Sequence, residues 1–156
     1  MKFSKLILTI GIPGSGKSTW VKKYVQKHPL TYVISTDAIR KELTGVEQCI
    51  NPSQNDMIHD EARKRVKQIL DDPNSKGGLG PTIIVDSTNV TCEEWQKYHD
   101  LSPSLLLGKM FDITPEQAMK NQSGRERQVP LEIVQMKYDQ LQSSKKFIPC
   151  FFNMIL

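Results

Sequence analysis

One stretch limits the folds open to this chain more than any other: Gly11-Ile12-Pro13-Gly14-Ser15-Gly16-Lys17-Ser18-Thr19. Its spacing, a glycine, four residues and then Gly-Lys-Ser, is that of a phosphate-binding loop. Such a loop needs a strand before it and a helix after it. Residues 6–10, Leu-Ile-Leu-Thr-Ile, form a short β-branched apolar run suited to a buried parallel strand. Residues 20–25 place their apolar side chains on one face of a helix.

The residue types explain the chemistry. Gly11, Gly14 and Gly16 let the backbone wrap an anion without Cβ clashes. The N–H groups of the loop and of the first helical turn then point inward and, with the helix dipole, form an anion nest. Gly11 through Thr19 are therefore the expected cofactor-binding residues. Lys17 would reach the β- and γ-phosphates of ATP, and the Ser18 hydroxyl would ligate Mg²⁺.

Strand and helix patterns alternate along the remaining chain. Helices are expected over residues 17–26, 37–43, 54–70, 92–99, 114–120 and 130–141, with strands at 32–34, 82–85 and 105–111. Ser35 or Thr36 can cap the second helix and Gly45 can close it. Residues 47–53 read as a loop. Continuous apolar strands alternating with helices define the fold class as three-layer α/β/α, with a parallel sheet of four to five strands. Ligands in such sheets lie at the carboxyl ends of the strands. Three polar clusters fall there: the loop, residues 35–40 and residues 86–89.

Asp37 directly follows the second strand, where it would face the γ-phosphate and accept a proton from an acceptor hydroxyl; the plainer alternative is a helix cap. Arg40 shares its helix face and is either a surface ion-pair partner or a guanidinium for a substrate phosphate. Asp86 ends the third strand and would hold Mg²⁺ through water or orient Arg40. Thr88 and Asn89 line the rim or form the turn. Arg125 and Arg127 lie in a polar segment that would close over the phosphates as a lid, about residues 120–129. His28, His59 and His99 read as surface or capping residues.

The 156 residues suit one domain, and the charge of +4 permits a nucleic-acid partner without demanding one. No apolar stretch approaches the length of a membrane span. Cys49, Cys92 and Cys150 lack metal-ligand spacing and read as reduced thiols, so a soluble cytoplasmic protein is expected. Residues 147–156 are strongly apolar and form a last strand, a contact surface or a cut end.

Taken together, residues 8–20, Ser35-Thr36-Asp37-Ala38-Ile39-Arg40, Asp86-Ser87-Thr88-Asn89 and Arg127-Gln128-Val129-Pro130 resemble the bacteriophage-type polynucleotide kinases and their wider group of small P-loop kinases. The resemblance covers about residues 3–142. It implies ATP- and Mg²⁺-dependent phosphorylation of a 5′-hydroxyl on DNA or RNA. It makes Lys17 and Ser18 the ATP and Mg²⁺ residues, Asp37 the general base and Arg40 the contact to the acceptor's phosphate. Asp86 would support the site, and a lid arginine would stabilise the transferring group. The family's lid carries two arginines four apart ahead of the Val-Pro pair. Here Arg125 is one residue out of step and Arg127 lies closer to Val129-Pro130, so either fills the role. Two other activities fit the same motifs: a kinase of a small-molecule or nucleotide-sugar acceptor, and an ATPase module that transfers nothing.

Overall fold

A computed structural model describes residues 2–47 and 53–156. Five parallel strands form one sheet in the order β2-β3-β1-β4-β5. They are β1 (Lys5–Gly11), β2 (Tyr32–Ser35), β3 (Thr82–Asp86), β4 (Leu105–Phe111) and β5 (Met154–Ile155). The helices are α1 (Lys17–Lys27), α2 (Thr36–Thr44), α3 (Gln54–Asp71), α4 (Cys92–His99), α5 (Pro115–Gln122), α6 (Leu131–Ser144) and α7 (Ile148–Phe151).

Strand alternation divides the apolar residues between two layers. Leu6, Leu8 and Ile10 of β1, with Ile83 and Val85 of β3 and Leu106 of β4, join the larger core beside Ile58, Ala62 and Val66 of α3, Trp95 of α4 and Leu141 of α6. Ile7, Ile84 and Leu107 turn the other way and meet Val21 of α1. Both faces are thus covered, which is why the strands read as continuous apolar runs.

The expected elements are present with small shifts at their ends. Ser35 caps α2 by accepting from the Ala38 amide at 3.2 Å, so the helix begins at Thr36. The expected helix at 114–120 runs instead from Pro115 to Gln122, taking in the first residues assigned to the lid. Its cap is Thr114, which accepts from the Gln117 amide. The last long helix extends to Ser144, because Leu141 and Ser144 are both buried. The apolar tail resolves into α7 and β5: Phe152 packs edge-on against Trp95 at 5.3 Å, and β5 pairs with β4. Cys92 and Cys150 are free thiols, while Cys49 and most of the expected 47–53 loop lie outside the described residues. Among the described residues no helix is long and apolar enough to cross a membrane.

Candidate active site

The loop between β1 and α1 is shaped by two left-handed glycines, Gly14 at φ 83° and Gly16 at φ 94°. Gly16 is the N-cap of α1, and no side chain caps the helix. The first-turn amides are therefore available to an anion, as the sequence implies. A Cβ on Gly14 would stand 2.5 Å from the Ala118 carbonyl of α5. The loop thus abuts α5, and Asn121 reinforces the contact by donating to the Gly14 carbonyl at 2.9 Å. Sequence reasoning missed Asn121; its only signal was a polar residue at the edge of the expected lid.

Lys17 Nζ donates to the Ile12 carbonyl at 2.7 Å and to Ser15 Oγ at 3.3 Å. Burial lowers its pKa to about 8; Asp86 and Asp37 oppose the shift, and Arg125 adds to it. Ser18 Oγ donates to Asp86 Oδ2 at 3.0 Å. Burial pushes the Asp86 carboxyl up, and the Ser18 hydroxyl and Lys17 act the other way. A hydroxyl and a carboxylate side by side are hard oxygen donors, the set that Mg²⁺ takes together with phosphate oxygens. The residues present therefore fit a nucleotide-bound Mg²⁺.

Register brings the second cluster to the same rim. Ser35 at the end of β2 lies opposite Asp86 at the end of β3, so Asp37 follows just beyond it. Asp37 Oδ1 accepts from Arg40 at 2.9 Å, and Oδ2 accepts from Arg127 at 3.0 Å. Arg40 is buried and also donates to the Glu47 carbonyl at 3.3 Å and to Asn55 Oδ1 at 3.1 Å. It is thus no surface ion-pair residue, and it is Asp37, not Asp86, that orients it. A cleft of about 840 Å³ joins Ser18, Asp37 and Asp86 to Arg125 and Arg127 and continues between α1 and β2 past Val21, Lys22, Val25 and Val33.

Asn89 belongs to the scaffold. Its amide donates to the Thr9 carbonyl at 2.9 Å, its backbone adopts φ 45°, and its own carbonyl accepts from Trp95 at 2.6 Å. The Thr88 carbonyl accepts from the Gly11 amide at 2.9 Å. Both fasten the end of β3 to the phosphate loop. His59 is not a surface residue but half buried, and burial with nearby cations lowers its pKa to about 4.

The class that fold and site define is the P-loop kinase group. A family model described as an AAA domain, AAA_33, matches residues 6–146, and the chain belongs to that family. It is 54% identical over 37 residues to the adenylate kinase of Pyrococcus furiosus, a match covering 24% of this chain and 17% of that one. It is 43% identical over 45 residues to adenylate kinase isoenzyme 1 of Sus scrofa, covering 29% and 23%. The chain thus spans about a quarter or less of these curated relatives. Among solved structures, a chain of the Pnkp1/Rnl/Hen1 RNA repair complex superposes with a TM-score of 0.76 at 20% identity, over 94% of this chain and 46% of that one. A gluconokinase from Sinorhizobium meliloti 1021 gives 0.61 at 16% identity, over 90% and 77%. Both show the same fold.

Proposed function

We propose that the protein is an ATP- and Mg²⁺-dependent phosphotransferase that moves the γ-phosphate to a 5′-hydroxyl of DNA or RNA. The observation that carries this reading is Asp37, held at the rim of the phosphate loop by Arg40 on one oxygen and Arg127 on the other. In the reaction the acceptor oxygen forms a bond to the γ-phosphorus, the bond to the β-bridging oxygen breaks, and ADP leaves. The hydroxyl proton passes to Asp37. Loop amides and Lys17 hold the β- and γ-phosphates. When bound, Mg²⁺ would neutralise charge on those phosphates, with Ser18 and Asp86 as its protein side.

Arg40 meets a phosphate of the acceptor, and Arg127, with Arg125 beside it, closes the lid of about residues 120–129 over the transferring group. Single-domain organisation and a cytoplasmic setting complete the reading. Its likeness to a chain of an RNA repair complex supports the acceptor class.

The test is incubation with γ-labelled ATP and Mg²⁺, offering 5′-hydroxyl DNA and RNA oligonucleotides beside AMP, gluconate and an acceptor-free control. Label on the 5′ end is the expected result. A second reading, a small-molecule acceptor, is favoured by one observation: the gluconokinase neighbour is matched over more of its own length. Label on gluconate or AMP alone selects it, and acceptor-independent hydrolysis alone selects the ATPase module.

A further inference from the structure

Helix α1 lies over β1 and β3. The phosphate loop ties its start to the end of β1, and Val21 packs against Ile7 and Ile84. β2 is the edge strand beyond β3, at the margin of that cover. Ile34 turns into the larger core, so by alternation Val33 turns to the α1 side, where it is 40% exposed. One exposed valine is ordinary. Val33 differs in its place: it lines the cleft of about 840 Å³ that reaches Asp37 and Asp86.

Below the rim the cleft has one kind of wall. Val21 and Val25 of α1 line it together with Val33 of β2. Lys22 and Gln26, four residues apart and so on one side of α1, bring an ammonium and a carboxamide to its edge. The acids that line the cleft belong to its upper end. Asp37 and Asp86 are the rim carboxylates, Glu126 stands between Arg125 and Arg127 in the chain, and the Glu47 carbonyl accepts from Arg40 at 3.3 Å. No aromatic ring lines the cleft among the described residues, so its lower part offers apolar packing rather than stacking.

An apolar slot with a few polar groups at one edge suits a flat ligand whose rim carries donors and acceptors. A nucleobase is such a ligand. A sugar acid is not, since it would set hydroxyls against three valines. The length agrees as well. Ser18, Lys22 and Gln26 recur at every fourth position, so the slot descends about 12 Å along α1 from the Ser18 hydroxyl. A nucleoside fits that span lengthwise, with its 5′ oxygen at Asp37 and its base at the valines.

We propose that Val21, Val25 and Val33, with Lys22 and Gln26 at the edge, form a subsite for the base of the acceptor's 5′-terminal nucleotide. The subsite rests on the polynucleotide reading above and deepens it: the reacting hydroxyl is selected through the base on the same sugar. The sugar sends its 5′ oxygen to Asp37, its 3′ phosphate to Arg40 and its base down the cleft. Apolar packing of this kind separates a base from no base far better than one base from another.

The test compares two 5′-hydroxyl tetranucleotides that differ only in the 5′-terminal residue, one with its base and one with hydrogen in its place. Wild type should prefer the base-bearing acceptor by about 30-fold in kcat/KM. Val33→Ser should cut that preference about fivefold, through KM, and Val33→Ile, which keeps the wall apolar, should retain it. In both variants kcat/KM for the abasic acceptor and KM for ATP should not change. No preference in the wild type, or an equal loss on both acceptors in Val33→Ser, overturns the subsite.

Fluorescence anisotropy of the same oligonucleotides, 3′-labelled and with ADP in place of ATP, separates the two levels. A Val33-dependent binding preference without transfer to either acceptor defeats the kinase reading and keeps the subsite. Equal transfer to both acceptors keeps the reading and defeats the subsite. Neither a binding preference nor transfer defeats both.

Discussion

Asp37 and Arg127 meet at 3.0 Å across ninety residues of sequence. The contact joins the first turn of α2 to the segment between α5 and α6, and Arg40 occupies the other carboxylate oxygen at 2.9 Å. The Asp37 side chain is 51% exposed. A pair as exposed as Asp37–Arg127 contributes about 0–1 kcal/mol, so stability does not explain that contact. Its consequence is positional: the carboxylate has one orientation at the rim of the phosphate loop.

Asp37→Asn keeps the shape of the side chain and removes its capacity to take a proton. Phosphoryl transfer should fall by about 10²–10⁴, the usual contribution of a positioned base. ADP affinity, measured by calorimetry, should change less than about threefold because the loop is untouched. Wild-type turnover in this variant would remove Asp37 from the mechanism.

Arg125 and Arg127 should separate by kinetics. Arg127 reaches Asp37 directly, whereas Arg125 registers as a charge acting on Lys17. Arg127→Gln should lower kcat by about 10³ with little change in KM for ATP, the signature of a contact made in the transition state. Arg125→Gln should mainly raise KM for ATP. Reversed effects would make Arg125 the arginine that stabilises the transferring group.

Much of this site is legible in the chain because its signals are local. The loop spacing, the Ser35 cap ahead of α2 and the position of Asp86 at a strand end each depend on a few neighbouring residues. The bounds of α4 and β4 are those read from the chain, and the Thr91 side chain, accepting from the Glu94 amide, fixes where α4 starts. What is not legible depends on packing between distant segments. Arg127 reaches Asp37, and Asn121 reaches Gly14 over 107 residues. His59 is half buried, and burial first, then the charges of Lys137, Arg63 and Arg40, lowers its pKa. The two-residue β5 is too short for a period, and it forms because Phe152 and Ile155 fill the space beside Gly108.

Gly14 and Gly16 offer a paired test of the loop. Both have positive φ, so an alanine at either should cost about 1–2 kcal/mol in backbone strain. A Cβ on Gly14 also meets the Ala118 carbonyl at 2.5 Å, while one on Gly16 meets nothing within 4 Å. Gly14→Ala should therefore be the more destabilising in urea unfolding, by about a further 1–3 kcal/mol as α5 is forced off the loop. Equal losses would show that α5 does not brace the loop.

Lys17 makes nucleotide affinity depend on pH in a stated direction. In the folded protein its pKa is about 8, against 10.5 for an ordinary lysine, and burial is the main cause. Between these values the unfolded chain binds more protons than the folded one, so Lys17 makes stability rise with pH there. Phosphate binding needs the charged ammonium, and bound phosphate holds the proton on. ADP affinity should thus be nearly flat below pH 7 and fall about tenfold from pH 7 to pH 9, as the free protein loses the charge. Calorimetry across that range measures the fall, and urea unfolding over pH 8 to 10 measures the opposing rise. Arginine stays charged throughout, so Lys17→Arg should bind ADP more weakly but without the slope. The same slope in that variant would assign the titration to another group, and the depressed ammonium of Lys17 would no longer account for how the loop holds its nucleotide.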